Sequence, residues 1–218
     1  MRLYKLFPIL LSLCVFFLPG RADAAVPGFS YYKPITITNS SGSALVNYQV
    51  KITVAYNSHM QSDFDDLRFT ASDGSTLLDY WVESYTASTS ATVWVEVNSA
   101  PAGNSTIYMY YGNSTAGSLS NIKTTFVLGD DFNDGSIDTN LWDKYNGGGI
   151  SITETGGELK ISGTSNYNYY YWNYLESKLQ FTQSVVVDLK IRYASSTSND
   201  GNAQLWIDGQ DDWFRWGV

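Results

Sequence analysis

The sequence predicts an all-β protein made of two consecutive antiparallel β-sandwich domains. Three observations carry that expectation. Apolar and polar residues alternate along most of the chain, as in Tyr48–Tyr56 (YQVKITVAY) and Thr92–Val97 (TVWVEV). Short clusters of Ser, Asn, Asp, Gly and Pro break these stretches at regular intervals. No window of about 11–18 residues carries an apolar stripe of helical period.

The chain of 218 residues opens with Arg2 and Lys5, then an apolar run from Leu6 to Leu18 interrupted by Pro8 and Ser12. Pro19-Gly20 ends the run, and Ala22-Asp23-Ala24 offers small residues ahead of a cut before Ala25. The run falls short of the roughly 20 residues needed to span a bilayer, so residues 1–24 read as a secretory signal peptide. The single cysteine, Cys14, lies inside it, behind Leu13 and among apolar neighbours that do not suit lipid attachment. Loss of the leader removes Arg2, Lys5, Arg21 and Asp23, and takes 13 basic and 21 acidic side chains to 10 and 20. The mature chain then has no cysteine, which excludes disulfides, thiol nucleophiles and thiolate metal sites. Its acidic balance argues against nucleic acid and anionic membrane surfaces as partners. No membrane insertion is expected after cleavage.

Six strands are expected in the first domain: Lys33–Thr38, Tyr48–Tyr56, Leu67–Thr70, Thr76–Ser84, Thr92–Val97 and Thr106–Tyr111. The turns between them include Asn39-Ser40-Ser41-Gly42, Ser72-Asp73-Gly74, Pro101-Ala102-Gly103-Asn104 and Gly112-Asn113. Tyr80, Trp81, Trp94 and Tyr108 alternate along these strands and read as core. The small, polar stretch Asn113–Asn121 reads as a connection, and the domains are placed at 25–115 and 124–218 with a linker at 116–123. Strands expected in the second domain are Phe126–Phe132, Gly149–Thr153, Glu158–Ser162, Tyr169–Glu176, Ser184–Tyr193, Ala203–Asp208 and Trp213–Val218. Gly156-Gly157 and Gly209-Gln210 read as hairpin turns in which glycine supplies positive φ. The last hairpin strand has nothing after it, which suggests a chain cut inside its second domain.

The blocks Tyr32–Ser40, Asp65–Thr70, Leu78–Tyr85, Ala91–Val95 and Ile107–Asn113 resemble, in order and spacing, the domain of unknown function 2341, over about residues 29–115. That family implies export or surface display and no established activity. The second part, through Asp130–Asp138, Leu141-Trp142, Gly157–Ile161, Glu176–Lys178 and Trp206–Gly209, resembles the concanavalin A-like lectin/glucanase fold, here as an incomplete jelly roll. That resemblance implies sugar binding, glycan cleavage or adhesion, and a fold by itself does not choose among them.

No catalytic constellation is expected. The glucanase pattern of that fold places carboxylates on one strand, and its nearest register here, Trp206–Asp211, has Trp where the nucleophile belongs. Glu154 and Glu158, either side of Gly156-Gly157, read as a solvated cross-strand pair. His59, the one histidine, lies in a polar loop without a nucleophile elbow or zinc-binding companions. Calcium is the one cofactor considered, with Asp130, Asp131, Asn133 and Asp134 as candidate ligands because this hard ion takes oxygen donors. The competing reading is a turn held by local side-chain hydrogen bonds. Asn39, Asn104 and Asn113 are Asn-x-Ser/Thr acceptor sites only in a host that glycosylates them.

Aromatic residues give the strongest functional signal. Tyr167, Tyr169, Tyr170, Tyr171, Trp172 and Tyr174 are interleaved with Asn166, Asn168 and Asn173. On a strand, Tyr170, Trp172 and Tyr174 share one face, which could present flat rings to a sugar, and Trp206 and Trp213 could extend it; a Tyr-rich packed sheet is the alternative. The expected function is a secreted or cell-surface, non-catalytic binding protein whose partner is a glycan or cell-surface polymer. A structural or adhesive spacer, and accessory modules of a secreted hydrolase, are the alternatives.

Overall fold

The computed structural model describes residues 2–5, 20–21, 26–145, 150–163, 174–181, 185–188, 204–208 and 213–217. In chain order the elements are β1 Arg2–Lys5, β2 Gly20–Arg21, β3 Tyr31–Asn39, β4 Leu45–Ala55, β5 Arg68–Thr70, β6 Leu77–Leu78, β7 Tyr80–Thr86, β8 Ser90–Ala100 and β9 Gly103–Tyr111. Then follow α1 Ile122–Thr125, β10 Leu128–Gly129, β11 Trp142–Tyr145, β12 Ile150–Thr155, β13 Glu158–Gly163, β14 Tyr174–Ser177, β15 Val185–Asp188, β16 Gln204–Asp208 and β17 Trp213–Gly217. The fold is all-β and every strand pairing is antiparallel.

Alternation builds the first sandwich. One sheet has the order β2-β3-β9-β5-β6 and the other β4-β8-β7. Ile35 and Ile37 of β3 point inward while Thr36 and Thr38 face water. On β8, Val93, Val95 and Val97 meet Val50, Ile52 and Val54 of β4 in a core with Phe64, Leu67 and Phe69. Five of the six expected strands lie within a few residues of their observed places, whereas the expected strand Thr76–Ser84 divides at Asp79 into β6 and β7, which join different sheets. Asn47 breaks the alternation of β4 by adopting φ 48°, so that Tyr48, Val50, Ile52 and Val54 all face the core.

Residues 113–121, expected as a free connection, are instead strapped to this sandwich. Arg68 Nη2 donates to the Gly117 carbonyl at 2.7 Å, and Gln61 Nε2 donates to the carbonyls of Asn113 and Ala116, both at 2.8 Å. The Ser120 hydroxyl accepts from the Val82 N–H, and the Asn121 N–H donates to the Tyr80 carbonyl. Helix α1 follows directly, with the Asn121 side chain accepting from the Lys123 N–H as its cap. Ile122 and Phe126 cover the outer face of the β4-β8-β7 sheet against Trp94 and Trp81. Trp94 is therefore buried, as expected, but on the opposite side of the sheet from the main core. The expected strand Phe126–Phe132 shrinks to β10 because α1 and its exit occupy the preceding residues. Gly129 must be small, since a Cβ there would lie 2.6 Å from the Ile122 carbonyl oxygen.

Beyond α1 the strands are short. β11 pairs with β14 and β12 with β13, and β10 and β15 flank β1. Leu128, Phe132 and Trp142 form a small core there, joined by Leu141, Leu159 and Leu175. Gly156 and Gly157 have φ 64° and 75°, the two positive values that a tight hairpin with the right-handed strand twist requires. The expected Glu154–Glu158 pair does not form: Thr155 lies opposite Glu158 and Leu159 opposite Glu154, which sets the two carboxylates on opposite faces. Strand β11 was not expected, because its WDKY sequence carries only one buried residue.

The chain divides into two compact units, Met1–Asp188 and Leu189–Val218. The second unit contains the β16–β17 hairpin, with Trp206 opposite Arg215 and Asp208 opposite Trp213. Its expected Gly209-Gln210 turn lies outside the described residues. Among the described residues no helix is long and apolar enough to cross a membrane.

Candidate functional site

Of the five residues expected to bind sugar, Tyr170 and Trp172 lie outside the described residues. Trp206 and Trp213 are placed by backbone register alone, in the unit of residues 189–218. Tyr174 is placed fully, and its surroundings are informative. It starts β14 directly opposite Tyr145, the last residue of β11. The two rings stack, with centroids 4.4 Å apart and planes 25° from parallel, and both are exposed. Neighbours that desolvate the Tyr174 hydroxyl, with Tyr145 and Glu176 beside it, hold its pKa above the usual tyrosine range.

Register explains why the pair is exposed. Side chains alternate across a strand, and directly paired residues share a face. Trp142, Lys144, Leu175 and Ser177 therefore take one face of the β11–β14 ribbon, where Trp142 enters the core. Asp143, Tyr145, Tyr174 and Glu176 take the other, and all four are exposed. Lys178 forms an ion pair with Asp143 at 3.2 Å at the end of this face. The result is an aromatic pair beside two carboxylates and an ammonium. Such a surface can cover the apolar face of a sugar ring and exchange hydrogen bonds with its hydroxyls. Tyr145 was missed in the sequence because one isolated Tyr in a polar segment gives no periodic signal.

The Asp-rich segment behaves largely as a hydrogen-bonded turn. Asp130 is buried; its Oδ1 accepts the Phe132 N–H at 3.0 Å and its Oδ2 the Trp142 Nε1–H at 2.8 Å. Asp131 Oδ2 accepts from the Asn133 side chain at 2.8 Å, and burial next to Asp130 pushes the Asp131 carboxyl up from its ordinary value. Asp134 Oδ1 accepts the Ser136 N–H, and Lys123 Nζ bridges Asp134 at 3.3 Å and Asp138 at 2.8 Å. These bonds lower both carboxyls, the Ser136 N–H leading for Asp134 and Lys123 for Asp138. Glu154, which the sequence reading left in solvent, instead reaches this loop: its Oε1 accepts the Gly135 N–H at 2.9 Å. Burial, then Asp134 and Asp130, raise its carboxyl. Among the described residues no three His, Cys, Asp or Glu side chains converge on one point.

Two titratable groups of the first sandwich, His59 and Asp66, are held by its packing and hydrogen bonds. His59 stacks on Tyr31 at 4.2 Å. Asp66, fully buried, accepts N–H groups of Gln61, Gly112 and Asn113.

Residues 63–145 match the model of a family described as "Domain of unknown function (DUF2341)". The match begins later than the expected 29–115 and runs through the strap and α1 to the end of β11. No curated protein and no solved structure matches the chain.

Proposed function

We propose that this protein is exported by its N-terminal signal peptide and binds carbohydrate, without catalysis, at a cell surface or outside the cell. The exposed, stacked Tyr145–Tyr174 pair on a face that also carries Asp143 and Glu176 is the observation that carries this reading. Aromatic rings left in water on a strand that has a core on its other side forgo burial, and sugar stacking gives them a use. The resemblance of residues 124–218 to concanavalin A-like domains points the same way.

The test is retention of the purified chain on insoluble polysaccharides of several chemistries. Tyr145→Ala and Tyr174→Ala are each expected to weaken retention about tenfold while leaving the melting temperature nearly unchanged. Retention that both variants leave intact would discard the reading.

A spacer role is the second reading. It draws on the hydrogen bonds of Arg68 and Gln61 to residues 113–117, which make the connection rigid. Absence of retention on every polymer tested would favour it.

A further inference from the structure

Glu154 is the most unusual polar residue in the described structure. It leaves β12 toward the loop of residues 130–138 and is only 8% exposed. One carboxyl oxygen, Oε1, accepts the Gly135 N–H. The other, Oε2, is buried and has no hydrogen-bond partner. Asp134 stands within side-chain hydrogen-bonding reach of the same carboxyl, and Asp130 adds its charge. Two acidic groups in contact, one of them with an oxygen out of water, are strongly unfavourable when both are charged; a shared proton or a cation between them relieves the repulsion.

Lys123 does not fill that place, because it pairs with Asp134 Oδ2 and with Asp138, and Glu154 forms no ion pair with it. Lys144 Nζ is bound to the Ile152 carbonyl at 3.4 Å. Across the hairpin the residue opposite Glu154 is Leu159, whose side chain offers no donor.

We propose that Glu154 and Asp134 together hold a divalent cation of the calcium class, joining the loop of residues 130–138 to strand β12. The donors are all oxygen, which suits calcium and disfavours zinc or copper. Two carboxylates are fewer than a tight site uses, so main-chain oxygens and water complete the shell. Affinity then falls in the range of extracellular modules, about 10⁻⁴–10⁻³ M. Of the four ligands expected from sequence, only Asp134 keeps this role. Asp130 is excluded because both its oxygens already accept N–H groups.

The test is thermal melting of the full chain in EDTA, in about 5 mM calcium and in about 5 mM magnesium. Calcium is expected to raise the melting temperature by about 3 °C or more over EDTA, with a smaller effect of magnesium. Glu154→Gln is expected to melt in EDTA at or above the wild-type temperature, since it removes a repulsive charge, and to lose the calcium increment. Asp134→Asn is expected to lose the increment too, and Glu176→Gln to keep it. A wild-type chain that melts identically in EDTA and calcium overturns the site. So does an increment that survives both Glu154→Gln and Asp134→Asn, because the ion is then held elsewhere.

Discussion

The two parts of the Met1–Asp188 unit solve the burial problem differently. Among the described residues, the first sandwich gathers 21 buried side chains into one core, whereas the region after α1 gathers three. Ile161 and Leu179 stay exposed in the latter, though Ile161 shares a face with Ile152, which is almost completely buried. The first sandwich closes because both its sheets present a full row of alternating Val and Ile. The later strands are two to six residues long, and all but β15 carry one or two apolar positions in this unit, so they cannot close a layer by themselves. What this teaches is a division of labour: the large core lies in the first sandwich, and the stacked Tyr145–Tyr174 pair with its neighbouring carboxylates lies after it.

Substitutions that probe the two regions should separate sharply. Phe69→Ala empties a site with no solvent exposure and is expected to cost about 3–5 kcal/mol in denaturant unfolding. Ile161→Ala, at an exposed position, should change stability by less than about 0.5 kcal/mol. Equal losses at the two positions would break the comparison.

The strap gives the next largest effect. Arg68 donates to the carbonyls of Leu67 at 2.6 Å and Gly117 at 2.7 Å and lies over the Phe29 ring. Arg68→Met should cost about 2–3 kcal/mol by leaving the Gly117 carbonyl without its donor, while the Leu67 carbonyl keeps the Tyr80 hydroxyl. It should also open residues 113–121 to protease, and cleavage unchanged from wild type would show that the strap is not what holds them.

The smallest effect lies at the Asp73 turn. Hydrogen bonds from the Thr76 hydroxyl and from the Ser75 and Thr76 N–H groups lower its pKa from 3.8 to about 2. A carboxyl lowered on folding contributes stability that is present above its unfolded value and lost as the pH falls through its folded one. The melting temperatures of wild type and Asp73→Ala should therefore differ slightly near pH 6 and converge as the pH approaches 2. A gap that persists at low pH would assign the effect to turn geometry instead.

Much of the first sandwich was legible because alternation of Val, Ile and Thr reports directly which face is buried. What stayed hidden was tertiary. Residues 117–120, mostly small and polar, look like a tether until the Gly117 carbonyl meets Arg68, the Leu119 N–H meets the Tyr80 hydroxyl and the Ser120 hydroxyl meets the Val82 N–H. The four residues of α1 are too few to show a helical period. The candidate face was half legible: Tyr174 stood out within a Tyr-rich stretch, but Tyr145 becomes significant only through cross-strand pairing. Glu154 shows the same limit, since its burial follows from a register that places it on the inner face of a hairpin with an Asp-rich loop above it.

Native-state hydrogen exchange on the intact chain tests the division of labour most directly. Amides of β3, β8 and β9 should exchange only through global unfolding, and those of the β12–β13 and β11–β14 ribbons orders of magnitude faster. Protection of the later ribbons equal to that of β8 would contradict the account.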